Sequence, residues 1–201
     1  MAQNRQKKIK QAAIFQAALR VIKEQGFHKA KMADIAAEAG ISYGLVYHYF
    51  KSKEDLFEAI LEHWWGSLFA LMKTLSEKDD SVPDKLHAII NYFLDTYQEN
   101  PELVNIFITE ISRSTSNLTE TRLGHFKKFM SLIEAFIKQG QEQGILRTDF
   151  KASYLTYIFL GALEGFLSAM VFVDQRIKGD EQKNRIGNSI FEVFLNGAKR
   201  Q

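Results

Sequence analysis

Apolar residues recur at helical spacing along this chain, and each stripe is closed by a glycine, a proline or a short polar run. The first stripe, Ile14, Ala18, Val21 and Ile22 within residues 5–24, ends near Gly26 and predicts an amphipathic helix. Ile35, Ala36 and Ala39 then share one face of a short helix, Gly40 and Ile41 interrupt it, and Val46, Tyr49 and Phe50 resume the pattern in a second short helix. Ser52-x-x-Asp55 has the form of a capping box. Behind it, Phe57, Ile60, Leu61, Trp64, Leu68, Leu71 and Leu75 stripe a helix of roughly 36 Å at 1.5 Å per residue.

After a pause at residues 77–81, Pro83 opens a helix carrying Leu86, Ile90, Phe93 and Tyr97. Asn100-Pro101-Glu102 is a capped restart followed by Leu103, Phe107 and Ile111, and a polar break covers residues 112–117. Phe126, Phe129, Met130, Ile133 and Ile137 mark the next helix, which stops around Gly140 and Gly144. Thr148 or Asp149 is expected to cap the most apolar helix, and Ile186, Ile190, Val193 and Phe194 stripe the last. The pattern predicts an all-α fold of nine helices. Three form an N-terminal domain over residues 1–53, and six form a second domain over residues 54–201.

Composition agrees with a folded, helical chain. Hydrophobic residues make up 46% of the 201, enough for a substantial core, and there are only two prolines. With no cysteine, disulfides, thiolate catalysis and cysteine metal sites are excluded, and a reducing cytoplasm is the expected location. Residues 154–173 carry a single charge, Glu164, and contain Gly161-x-x-x-Gly165, which has the length of a membrane span. A buried helix of a soluble protein is the preferred reading. A carboxylate near the centre of a span costs about 2.5 to 3.5 kcal/mol on insertion, and the amphipathic helices on either side need a packing partner. No membrane partner is expected.

The net charge of +2 is unevenly distributed: residues 1–53 hold ten Lys or Arg against three Asp or Glu, whereas the rest of the chain holds sixteen against twenty-one. The basic end is the one with the two short helices, and together they read as a helix-turn-helix facing phosphate. Gly40 stands where the corner needs a positive φ, and Ser42 is placed to cap the second helix. With Val46, Tyr49 and Phe50 inward, the outer face is left with Tyr43, Gly44, Tyr47 and His48. Ser42 begins that face, and Lys51 and Lys53 extend it.

The run Gly44-Leu-Val-Tyr47-His-Tyr-Phe50-Lys-Ser-Lys53-Glu-Asp-Leu56, preceded by Asp34-Ile-Ala-Ala-Glu-Ala-Gly40-Ile-Ser, resembles the DNA-binding signature of the TetR family of bacterial transcriptional regulators. The likeness is close over residues 10–60 and looser beyond. Family members commonly carry Thr just before the first helix of the motif as a phosphate contact. Here the neighbourhood is Lys29-Ala30-Lys31, so Lys31 is expected to replace it. The resemblance implies a homodimer built on the last two helices, an operator in double-stranded DNA and an effector cavity in the second domain. Gly161, Gly165 and Ser168 form a small-residue stripe suited to close helix approach, with Ile190 and Phe194 on the last helix as further interface residues. Trp64, Phe69, Phe93, Phe107, Phe129, Tyr157 and Phe166 are the candidate effector lining, with Glu110 and Glu164 to orient a polar end; Arg113 and His125 are weaker candidates. Residues 102–150, with Glu110-Ile-Ser-Arg113 and Gly144-Ile-Leu-Arg-Thr-Asp, are similar to the fatty-acid-degradation regulators of the family, which respond to long-chain acyl-coenzyme A.

Other chemistries find little support. Gly40-Ile-Ser42-Tyr-Gly44 matches the G-x-S-x-G elbow of hydrolases formally, but that motif needs a strand before the serine. The five histidines lack ligand spacing, so no metal site, cofactor or catalytic constellation is expected. Two rivals within DNA binding remain open at this level: a regulator with another hydrophobic or cationic effector, and a DNA-organising protein without one.

Overall fold

In the computed structural model, which describes residues 2–106, 108 and 120–199, nine helices follow one another with no strand among the described residues. They are α1 (Ala2–Gln25), α2 (Met32–Glu38), α3 (Tyr43–Tyr49), α4 (Lys53–Glu77), α5 (Val82–Glu99), α6 (Pro101–Ile106), α7 (Glu120–Glu142), α8 (Ala152–Phe172) and α9 (Asp180–Ala198). The all-α architecture expected from the periodicity is what the chain adopts. The expected stripe residues Phe107 and Ile111 and the polar break at 112–117 lie outside the described residues.

The chain divides into two compact units, Met1–Ser67 and Leu68–Gln201. The first closes beyond the expected border after Lys53, because the opening turns of α4 belong to its core: Leu56, Phe57, Ile60 and Leu61 are buried there together with Ile14, Val21, Ile35 and Val46. Phe15 of α1 lies 5.8 Å from Phe50 and 5.9 Å from His63, and Phe27 lies 5.2 Å from Phe57. Ser52 caps α4 as expected, its hydroxyl accepting from the Asp55 N–H at 3.1 Å. The Asp55 carboxylate reaches back to the Lys51 N–H at 2.8 Å, one residue beyond the usual box.

In the second unit α5 is flanked by α9, α7 and α6, and α8 packs on α7 and α9. Ile89, Ile90, Leu94, Ile133, Ile137 and Phe159 are fully enclosed. Gly187 permits the close approach of α9 to α5, since a Cβ there would stand 3.1 Å from Asn91 Oδ1 and 3.3 Å from Leu94 Cδ1. Ser81 caps α5, accepting from the Asp84 N–H at 3.2 Å. Neither Thr148 nor Asp149 caps α8. Lys151 stands at that position without a side-chain bond, and Asp149 is instead held by Arg147.

Two stripe assignments on α4 are corrected. Trp65 and Met72 are buried, whereas their neighbours Trp64 and Leu71 are only half-buried. On α8 the expectation of a fully buried helix gives way to one buried face. Leu155, Phe159, Leu163, Leu167 and Met170 point inward, while Tyr154, Tyr157, Ile158, Phe166 and Phe172 are exposed. By length and composition α8 is apolar enough to cross a membrane.

Candidate nucleic-acid interface and the outer face of the second unit

The corner between α2 and α3 is built by backbone hydrogen bonds that only one local geometry satisfies. The Ile41 N–H bonds the Ala36 carbonyl at 3.1 Å and the Gly40 N–H bonds the Ala37 carbonyl at 3.1 Å, the paired bonds of a Schellman stop. Gly40 holds φ +65°, where a side chain would be strained. Ser42 then caps α3, its hydroxyl accepting from the Leu45 N–H at 3.3 Å. That use, and the helix before it, set Ser42 apart from a hydrolase nucleophile.

Val46 is fully buried and Phe50 nearly so, which turns Tyr43, Gly44, Tyr47 and His48 outward. Each of these four lies on the face the sequence assigned to it. The Tyr43 and Tyr47 rings are 4.7 Å apart, and a hydrogen bond from the Tyr43 side chain, with slight desolvation, raises the Tyr47 phenol above its ordinary 10.0. His48 meets Tyr49 edge to face at 5.6 Å. Lys31 occupies the cap position of α2, exposed, with no side-chain cap bond, as a lysine has no acceptor to offer. Lys51 is exposed as well.

Lys53 departs from the expected role. Its ammonium donates to the Phe27 carbonyl at 2.7 Å and the His28 carbonyl at 3.1 Å, and lies 4.7 Å over the Phe27 ring. It ties the start of α4 to the turn that follows α1. Sequence reasoning missed both this tether and the Arg20–Glu38 ion pair between α1 and α2, because each joins residues far apart in the chain.

In the second unit the expected effector-lining residues do not all come together. Phe93 and Phe129 are 5.8 Å apart, Phe69 lies 5.7 Å from His125, and Lys128 covers Phe69 at 4.3 Å. Tyr157 and Phe166 are instead 57% and 38% exposed on the outer face of α8, and Trp64 belongs to the first unit. Phe107, Glu110 and Arg113 lie outside the described residues.

The outer face of α8 is apolar and open, and α9 adds the exposed Val193 to it among polar residues. Side chains added at Gly161 or Gly165 would meet nothing within 4 Å, and Ser168 turns its hydroxyl to Glu164 Oε1 at 2.8 Å. Ile190 and Phe194, expected at an interface, are buried within their own unit at 6% and 5% exposure, and Val193 between them is 78% exposed. A groove of about 440 Å³ runs between the two helices, walled by Phe150, Leu155, Ile158, Phe166, Val193 and Phe194. One end of it is pinned. The Arg147 N–H bonds the Ala198 carbonyl at 2.8 Å, its guanidinium bonds the Gly197 carbonyl at 3.2 Å and both Asp149 oxygens, and it lies 4.3 Å over the Phe150 ring.

A glycine-cornered helix pair with an exposed second helix, on a small basic unit followed by a larger helical one, defines a helix-turn-helix regulator. Known proteins agree. Residues 14–60 match the profile of "Bacterial regulatory proteins, tetR family", and residues 62–197 match "YsiA-like protein, C-terminal region". The chain belongs to the tetR family of bacterial regulatory proteins. It is 22% identical over 193 residues to the fatty acid metabolism regulator protein of Bacillus subtilis, covering 96% of this chain and 97% of that one. The structure of the fatty acid degradation regulator FadR from Bacillus halodurans superposes with TM-score 0.80 at 22% identity, covering 96% and 97% of the two chains. The regulator FadR from Bacillus subtilis, solved in complex with stearoyl-CoA, gives 0.75 at 23% identity over 92% and 98%. At these identities the structural likeness speaks for the fold.

Proposed function

We propose that the protein is a cytoplasmic, homodimeric transcriptional repressor that grips a near-palindromic operator with α3 and is released by an amphipathic effector, a long-chain acyl-coenzyme A. The observation that carries the DNA reading is the outward set of α3. Four residues of a seven-residue helix are exposed, and they lie within residues 1–53, where ten Lys or Arg stand against three Asp or Glu. The open apolar face of α8 and α9 supports the dimer, since exposed patches of this kind mark association sites. A two-fold dimer reads half-sites about 34 to 36 Å apart or a multiple of that. Gly165→Leu adds bulk where the free chain has space, so it is expected to leave folding intact and shift the dimer to monomer in sedimentation. A variant that stays dimeric at low concentration places the interface elsewhere.

For the effector, support comes from the likeness to the fatty acid metabolism regulator protein of Bacillus subtilis and from the stearoyl-CoA complex of the Bacillus subtilis neighbour. Moving a population from 99:1 to 1:99 takes about 5.5 kcal/mol of differential affinity. At about 0.8 kcal/mol per buried methylene, roughly seven methylenes held only in the DNA-free arrangement supply it. Helix α4 contributes residues to both units and is assigned the coupling. The test is a titration of acyl-coenzyme A species and free acids of increasing chain length against a protein–operator complex. Release that deepens with chain length is expected. Operator binding unmoved by every chain length removes the acyl effector and leaves the repressor.

A further inference from the structure

Bases in the major groove are distinguished chiefly by bidentate partners: Arg or Lys on guanine, Asn or Gln on adenine, a carboxylate on cytosine. Thymine instead shows one carbonyl and an apolar C5 methyl. Helix α3, YGLVYHY, holds none of Arg, Lys, Asn, Gln, Asp or Glu. Ser42, just before it, already has its hydroxyl on the Leu45 N–H. What the helix turns outward is aromatic surface, with Tyr43 54% and Tyr47 41% exposed.

The two rings are not independent. They stand 4.7 Å apart at 55°, in ring contact with one another. Two rings in contact restrict one another's rotamers before DNA arrives, so their contact costs less ordering on binding. Gly44, beside Tyr43, presents no side chain, and a Cβ there would meet nothing of the protein within 4 Å. The backbone between the two tyrosines is therefore open to close approach from outside. The two tyrosines present ring edges with no carboxylate, guanidinium or amide beside them on the helix, His48 being the other polar side chain on that face, and ring edges match the one apolar group on the floor of the groove.

On the reading of the protein as a DNA-binding regulator, we propose that the Tyr43–Tyr47 pair recognises thymine C5 methyl groups, so that each operator half-site carries thymines beneath α3. Discrimination there rests on apolar contact rather than on guanine hydrogen bonding.

The experiment uses the full-length protein and a random duplex pool to select binding sites, followed by replacement of each thymine in the selected site with deoxyuridine, which removes only the methyl. Thymine is expected at the positions beneath α3, and each uracil there is expected to weaken binding roughly fourfold, the worth of one buried methyl-sized group. Tyr43→Phe keeps the ring and should keep that ratio. Tyr43→Ser, at an exposed position, should bring it close to one. An enriched site insensitive to uracil at every position overturns this inference alone, with the rings then placed on phosphates. A pool that yields no enriched site overturns the operator reading and this inference with it. A Tyr43→Ser protein with the wild-type thymine-to-uracil ratio also overturns it.

Discussion

Replacing Lys53 by alanine separates two roles that one lysine at the head of α4 could play. If it lay on phosphate, its loss would weaken operator and random DNA alike and lower the salt slope by about 0.9, the value for one neutralised phosphate. The geometry points to a different outcome. The ammonium makes two bonds to backbone carbonyls, one part-buried at 2.7 Å and one exposed at 3.1 Å, and sits over the Phe27 ring. Hydrogen bonds to a charged group contribute about 1.5 to 3 kcal/mol when sheltered and less when wet, and an exposed cation–π contact adds about 0.5 to 1 kcal/mol. Taking the sheltered bond at the low end and discounting the wet one, the tether contributes about 2 kcal/mol.

For a chain of this size that loss corresponds to a Tm lower by about 4 to 8 °C. Lys51→Ala, at an exposed site, is the control: unchanged Tm and a shallower salt slope. Thermal unfolding followed by circular dichroism, with DNA affinity measured from low to high salt, reads both quantities on each variant. A Lys53→Ala protein with native Tm and a slope lower by about one refutes the tether.

Three further outcomes follow from single contacts. Gly44→Ala adds a methyl where the free protein has space and replaces a poor helix former, so stability should stay level or rise by up to about 1 kcal/mol while operator affinity falls; a gain in affinity would mean α3 does not meet DNA there. Gly140→Ala places its Cβ 2.8 Å from Leu146 Cδ1, 2.9 Å from its Cγ and 3.1 Å from Val82 Cγ1, and should cost about 1 to 3 kcal/mol in urea unfolding. Burial raises the Tyr97 phenol, which donates to the Gln175 carbonyl at 2.6 Å. As pH climbs past 10.0 the unfolded chain ionises first, so this contribution, whole below that pH, is lost above it; Tyr97→Phe should flatten the alkaline decline measured by urea unfolding.

What could be read from the sequence was what local chemistry decides. Gly40 and Ser42 fix the corner by backbone conformation and a cap within four residues, so the outward set of α3 followed correctly. Trp64 and Trp65 illustrate the limit. Adjacent aromatics on a helix differ by about 100°, both fit the apolar stripe, and only packing against neighbours selects Trp65. Lys53 was legible as basic and close to the motif, but its acceptors are carbonyls 25 and 26 residues earlier. On α8 the periodicity carries no information, because apolar residues occupy every face. Tyr157 and Phe166 therefore read as cavity lining on a buried helix and are exposed.

That exposure is what joins the two halves of the proposed function. A dimer that reads two half-sites needs its second units joined in one fixed register, and the fixed parts of this unit are those behind α8 and α9. Lys183 bonds Asp95 at 2.5 Å, Arg176 bonds Glu102 at 2.8 Å, and Gly187 lets α9 press against α5. Arg147 and Gln141 hold the last turn of α9 and the backbone around Phe150, with Gln141 Nε2 donating to the Arg147 and Phe150 carbonyls at 2.8 and 2.9 Å. The groove walls are thus ordered before a partner arrives, which lowers the entropic cost of association. Away from that face, Phe69 of α4 meets His125 and Lys128 of α7, and Phe93 of α5 meets Phe129 of α7. Helix α4 is the one element there that also belongs to the DNA-binding unit. On the proposed function, a ligand held near these rings would act on α4 without disturbing the α8–α9 face, so release from DNA is expected to be separable from dissociation of a dimer.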